Sequence, residues 1–211
     1  MKRMLAYIAA AIFCAAGAMA QNMEKLFAEM PDSIVPVMSK NNRLDCIDFF
    51  KSKMTGNVRN NFGGRCSISY LDSNYIRLQP TSRSQVEMKL YGAKAENKII
   101  AVAYTYMSPA KETTLAFYDT KWKRLKTAAY IRLPKKNELI SESGKNDIEK
   151  FEKAKGILAD AFACATIDSV GGEISFQLST DALNEDDKKL ATPYIAQPLC
   201  YKWNGKKFER Q

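Results

Sequence analysis

The sequence predicts an α+β fold: helices packed on an extended antiparallel sheet, with two halves that each run helix then β-meander and whose relation, repeat or coincidence, is left open. Three observations predict it. Apolar residues recur at helical spacing within residues 23–30, 42–54 and 147–161. They alternate with period two through residues 65–119 and again beyond residue 163. Turn residues punctuate those runs at short intervals. With 46% apolar and 26% charged residues, the chain has the composition of a globular domain rather than a disordered one.

Residues 1–20 read as an export signal. Lys2 and Arg3 form its positive end, Met4 to Phe13 its apolar core, and Ala18-Met19-Ala20 its cleavage site, so the mature chain starts at Gln21. The apolar stretch is shorter than the roughly 20 residues of a spanning helix. Phe13 is too bulky a neighbour for Cys14 to be a lipid attachment point. The mature chain, residues 21–211, is expected to be a single α+β domain without a transmembrane segment, divisible into halves at 21–134 and 135–211. Its expected location is the periplasm or outer cell envelope.

Met23, Leu26, Phe27 and Met30 mark a short helix that Pro31 stops. A stronger helix follows, with Asn42 as its cap, Asp45 three residues on, and Leu44, Ile47, Phe50 and Met54 as its apolar face. Gly56 and Gly63-Gly64 lead into strands carrying Cys66/Ile68/Tyr70, Ile76/Leu78, Val86/Met88/Leu90, Ile100/Val102/Tyr104 and Leu115/Phe117. Lys98 to Tyr106 is apolar on both faces, which places it centrally and covered on both sides. A second long helix runs from about Asp147 to Ala161, capped by Asn146 and buried along Ile148, Phe151, Ala154 and Leu158. Gly171-Gly172 and Asn204-Gly205 then close two hairpins, the first able to supply positive φ at both glycines. Each half ends in an aromatic strand with a Lys-Trp pair, Lys121-Trp122 and Lys202-Trp203. That is either a tandem repeat or a coincidence between two hairpins.

Met30-Pro31-Asp32-Ser33-Ile34-Val35-Pro36, Asn42-Arg43-Leu44-Asp45-Cys46-Ile47-Asp48-Phe49-Phe50, Gly63-Gly64 and Phe117-Tyr118-Asp119-Thr120-Lys121-Trp122 together resemble an exported family, domain of unknown function 3256, from Bacteroides-type bacteria. The resemblance covers about Met23 to Leu125. It implies an envelope location and carries over no catalytic residue.

The chain has no histidine, which removes Ser-His-Asp triads, Cys-His pairs and His-ligated zinc. Four cysteines follow the signal: Cys46, Cys66, Cys164 and Cys200. They allow up to two disulfides, with pairing within each half favoured, or four unpaired small hydrophobes. Cys66 sits on the strand face toward the helix carrying Cys46. Cys164 and Cys200 fall on polar strand faces.

Residues 121–136 hold seven basic and no acidic side chains, a charge equal to that of the whole mature chain. Lys121, Trp122, Lys123, Arg124 and Lys126, with Trp203, Lys206 and Lys207 of the last hairpin, form a basic-aromatic strip able to attract an anionic envelope ligand (acidic glycan or lipopolysaccharide) or an acidic protein. Nucleic acid is not an expected partner. The competing reading places the aromatics in the core and the lysines in solvent as guards against edge pairing. Asp45/Asp48 fit helix-end electrostatics better than a catalytic pair, and Asn184-Glu185-Asp186-Asp187 fits a helix start better than a calcium loop. Ser108-x-x-Lys111 matches a nucleophile-base spacing, but with Pro109 inside it and no companion motif. No catalytic residue, metal site or cofactor is assigned. The expected function is a non-catalytic binding or interaction module. The alternatives are a histidine-independent hydrolase using carboxylates or a Ser/Lys pair, and a purely structural envelope protein.

Overall fold

The computed structural model describes residues 22–54, 58–92, 97–142 and 147–211. Residues 1–20, read above as an export signal, Gly56 and the expected Asn146 cap lie outside the described residues. Helix α1 (Met23–Ala28) is capped by Asn22, whose side chain accepts from the Lys25 amide, and it buries Met23, Leu26 and Phe27. Helix α2 (Lys40–Lys51) begins earlier than its sequence signal suggests. Ser39 is the cap, and Asn42 is the third helical residue of a capping box.

The buried stripe of α2 is also rotated from the expected one. Leu44 and Met54 are 40% and 59% exposed, whereas Arg43, Cys46 and Ile47 are buried. The cause is the Arg43 guanidinium, which donates to Asp32 Oδ1 (2.7 Å), to the Met38 carbonyl (2.9 Å) and to the Met30 carbonyl. Those bonds fasten the α1–α2 loop to the helix. A buried charge with such partners is tolerated, and it turns the helix so that Arg43 faces inward.

Strands β1 (Val58–Arg59), β2 (Arg65–Leu71), β3 (Tyr75–Thr81), β4 (Ser84–Tyr91), β5 (Ile99–Met107), β6 (Lys111–Asp119) and β7 (Arg124–Leu125) form an antiparallel meander in sequence order. A register shift between Ile68 and Tyr70 breaks the alternation of β2 and leaves Tyr70 exposed instead of following Cys66 inward. As the two-faced apolar pattern requires, β5 is paired along its length by β4 and β6. Ile100 and Val102 enter the core beneath α1 and α2. Ile99, Ala101 and Ala103 enter a second core on the opposite face.

That second core is made with the C-terminal half. Helix α3 (Ile148–Asp160), β8 (Phe162–Ile167), β9 (Ile174–Ser179), α4 (Glu185–Ala191), β10 (Leu199–Trp203) and β11 (Phe208–Arg210) follow, and their strands form a separate four-stranded antiparallel sheet in the order β11-β10-β9-β8. The fold is therefore α+β with two stacked sheets, and α1 and α2 on the far side of the larger one. Asp147 caps α3, accepting from the Lys150 amide, and Phe151, Ala154 and Leu158 are buried as expected. Ile148, in the first turn, is 72% exposed and not part of the core. The β8–β9 connection spans Asp168 to Glu173, and only Gly172 has positive φ, because Asp168 folds the turn by accepting from the amides of Gly171 and Gly172. At the C-terminus, Trp203 pairs with Phe208 around a four-residue loop in which Gly205 takes φ 99.

Polar side chains of β4 tie the two sheets together. Glu87, 0% exposed, accepts from the Tyr75 hydroxyl at 2.6 Å, from Arg77 at 3.0 and 3.2 Å, and from the Ile167 amide of β8 at 3.4 Å. Lys89 donates to the Ser169 carbonyl (2.7 Å) and Tyr91 to the Gly172 carbonyl (2.9 Å). Each of these three β4 side chains finds a partner across the junction, which fixes how the small sheet sits on the large one.

Candidate functional site

Where the last hairpin meets the end of the large sheet, a cleft of about 430 Å³ opens, lined by Lys98, Ile99, Asp119, Leu125, Tyr130, Trp203 and Lys206 among others. Its floor is aromatic. The Trp203 and Tyr130 rings stack at 6.4 Å with an interplanar angle of 24°, and Trp203 also packs on Phe208 and Tyr91. The platform is held by backbone, since the Phe208 amide donates to the Tyr130 carbonyl at 2.6 Å. Ile99 and Asp119 meet because β5 and β6 pair there. Asp119 Oδ1 accepts from the Lys121 and Lys123 amides (2.8 and 2.9 Å), so this carboxylate shapes the β6–β7 turn that forms one rim.

The basic-aromatic strip divides at that turn. Trp122 takes the left-handed conformation, φ 63, which swings its indole beneath the sheet to donate to the Leu26 carbonyl of α1 at 3.0 Å. It is a buried member of the helix-side core. Arg124 lies over the Tyr118 ring on that same side. Leu125 and Trp203 pack against the core between the sheets, so the cleft receives Leu125, Trp203 and Lys206.

The remaining cations have different fates. Arg132 and Arg210 share Glu138, whose carboxyl is held below the usual carboxylate range by the Lys135 amide first and then by Arg132 and Arg210. Lys136 donates to the Ala159 carbonyl, and Lys207 pairs with Glu209 at 3.3 Å. Lys121, Lys123, Lys126 and Lys206 are exposed and form no ion pair among the described residues. Lys121 and Lys123 belong to the turn that follows Asp119, Lys126 directly follows Leu125 at the end of β7, and Lys206 belongs to the opposite rim. Sequence reasoning missed Lys98, Ile99 and Asp119, because only the β5–β6 register brings them to the site. The signal that existed was Tyr130, an aromatic placed among the lysines.

Other candidates are dispersed. Lys111 pairs with Asp181 at 3.8 Å, while the Ser108 hydroxyl faces Arg83, which donates to it at 3.4 Å. No hydrogen bond joins Ser108 to Lys111 among the described residues. Asp45 and Asp48 are exposed on α2. Asn184 caps α4, accepting from the Asp187 amide, as a helix start requires. Cys46 and Cys66 meet between α2 and β2. Cys164 and Cys200 do not pair: they lie on opposite sides of β9, facing Gln177 and Ser175. Two strand spacings, about 9.5 Å, exceed the reach of a disulfide. Burial also corrects the polar-face reading of Cys164, which is buried and whose thiol is pushed up by desolvation.

The fold is similar to that of a solved domain of an uncharacterized protein from Porphyromonas gingivalis W83, with a TM-score of 0.75 and 23% sequence identity over 90% of this chain and 97% of that one. No curated protein matches the chain. The model of a family described as "Protein of unknown function (DUF3256)" matches residues 15–208, extending the likeness well past Leu125 and through both sheets. The chain belongs to that family.

Proposed function

We propose that the protein is an exported, non-catalytic binding module of the cell envelope whose cleft beside Trp203 takes an acidic glycan. The observation that carries this reading is the stacked Trp203–Tyr130 platform with Lys206 on one rim and, on the other, the β6–β7 turn that carries Lys121 and Lys123, three exposed lysines with no ion-pair partner among the described residues. An aromatic face offers a sugar ring an apolar surface, and unpaired ammonium groups attract its carboxylates. The signal-like residues 1–20 support an envelope location. Trp122 and Arg124 act from the opposite face of the sheet, where Trp122 holds the turn in place and touches no ligand.

The test uses an oligogalacturonate as probe, with a neutral oligosaccharide of the same length as control. Replacing Lys121, Lys123 and Lys206 by Gln should weaken oligogalacturonate binding about tenfold, at roughly 0.5 kcal/mol per rim charge, and flatten its salt dependence. Arg124→Gln should leave both unchanged. Equal binding of the triple variant, or equal affinity for the neutral sugar, would contradict the assignment.

A further inference from the structure

The packing of α2 on β2 leaves two thiols in contact inside the helix-side core. Cys46 Sγ and Cys66 Sγ are 3.7 Å apart, and both residues are almost fully buried. Cys66 Sγ also lies 3.4 Å from the Val58 carbonyl, so β1 holds it from behind. The Cys66 thiol is lowered because Cys46 donates a hydrogen bond to its sulfur, and Cys46 is raised by that same bond and by burial. A groove of about 470 Å³ lined by Phe49, Phe50, Lys51, Met54 and Ile68 leads to Cys46. Small oxidants thus have a path to one sulfur, with the second poised behind it.

We propose that Cys46 and Cys66 form a reversible disulfide that staples α2 to β2. The reaction exchanges this dithiol with a small disulfide such as oxidised glutathione. Cys46, the sulfur that the groove reaches, gives up its proton to solvent as it attacks the glutathione disulfide and releases one glutathione thiolate, and the more readily ionised Cys66 is the resolving sulfur. Cys66 then attacks the Cys46 sulfur of the mixed disulfide and expels the second. The S–H proton of each cysteine ends on a glutathione thiol or in solvent, two electrons pass to glutathione, and one S–S bond is broken for the one formed. The sulfurs must close from 3.7 Å to a bond of about 2.05 Å, a movement within the reach of side-chain rotation. The outcome is a covalent tie between residues that the chain separates by a whole helix turn, a loop and β1.

The experiment uses the full mature chain and, in parallel, the Cys164→Ser/Cys200→Ser variant, which leaves the buried pair intact. Each is incubated folded with oxidised glutathione, quenched in acid, alkylated and mapped by mass spectrometry. The expected result is loss of the mass of two hydrogens, a linked peptide joining Cys46 to Cys66 in both proteins, and restoration of two alkylatable thiols by dithiothreitol. Retention of both thiols in the folded double variant would overturn the proposal. So would a stable glutathione adduct on Cys46 without the internal link, or a linked peptide containing Cys164 or Cys200.

Discussion

Replacing Glu87 by Ala removes the group on which the junction between the two sheets converges, and its cost can be built bond by bond. The Tyr75 hydroxyl, fully buried, loses its acceptor at 2.6 Å, and an orphaned buried donor costs about 1–3 kcal/mol. The Ile167 amide loses a long contact of 3.4 Å, adding at most about 1 kcal/mol. Arg77 is 40% exposed and rehydrates, so its two bonds contribute less than about 1 kcal/mol. Relief of the carboxylate's own burial offsets part of the total, leaving a predicted loss near 3 kcal/mol. Glu87→Gln keeps an acceptor for Tyr75 and should lose only about 1 kcal/mol. Urea unfolding followed by circular dichroism measures both, and a double-mutant cycle with Tyr75→Phe isolates the shared bond. A Glu87→Ala protein within about 0.5 kcal/mol of the parent would refute the reasoning, because surface substitutions have that size.

Other junctions and loops give further expectations. Gly172→Ala places a Cβ at 2.7 Å from Lys89 Cε and 3.1 Å from Tyr91 Cε1 on a residue with φ 73. The left-handed backbone alone should cost about 1–2 kcal/mol, seen as a lower urea midpoint. Arg43→Ala leaves the Met30 and Met38 carbonyls without their donor and should cost about 3 kcal/mol, whereas Asp32→Asn, at an exposed partner, should cost under about 1 kcal/mol. Tyr75 and Tyr91 are both held above the ordinary phenol range by burial first, then by Glu87 for Tyr75 and by Asp168 for Tyr91. Their contribution is whole below about pH 10, where unfolded tyrosine is still protonated, and is lost as pH rises from there toward the folded-state values. Stability should therefore decline on the alkaline side. Urea midpoints compared at about pH 9 and 11 should show Tyr91→Phe with the shallower decline.

The parts of the fold legible in the sequence are those that pattern alone dictates. The two-sided apolar run of β5 placed it in the middle of the large sheet, and alternation put Cys66 on the face toward α2. The parts that were not legible depend on partners far away along the chain. Nothing in the local pattern marks Arg43 and Glu87 as buried, because their hydrogen-bonding partners, the Met30 carbonyl and the Ile167 amide, lie on other elements. The division into two sheets follows from the packing of β8 and β9 over β4 to β6. Within the candidate site, the lysines and Trp203 were visible as composition. Asp119 and Ile99 joined them only through strand register, and Trp122 left them because its left-handed backbone turns the indole toward α1.

The two tryptophans make the central claim directly measurable, since Trp203 lies at the cleft and Trp122 is buried against α1. In a Trp122→Phe protein shown to be folded, Trp203 is the sole indole reporter. Titration with an oligogalacturonate should change its fluorescence saturably, with an apparent affinity that falls as salt is raised. A flat titration at low salt, under conditions where the protein still binds the glycan, would place the ligand elsewhere and contradict the account.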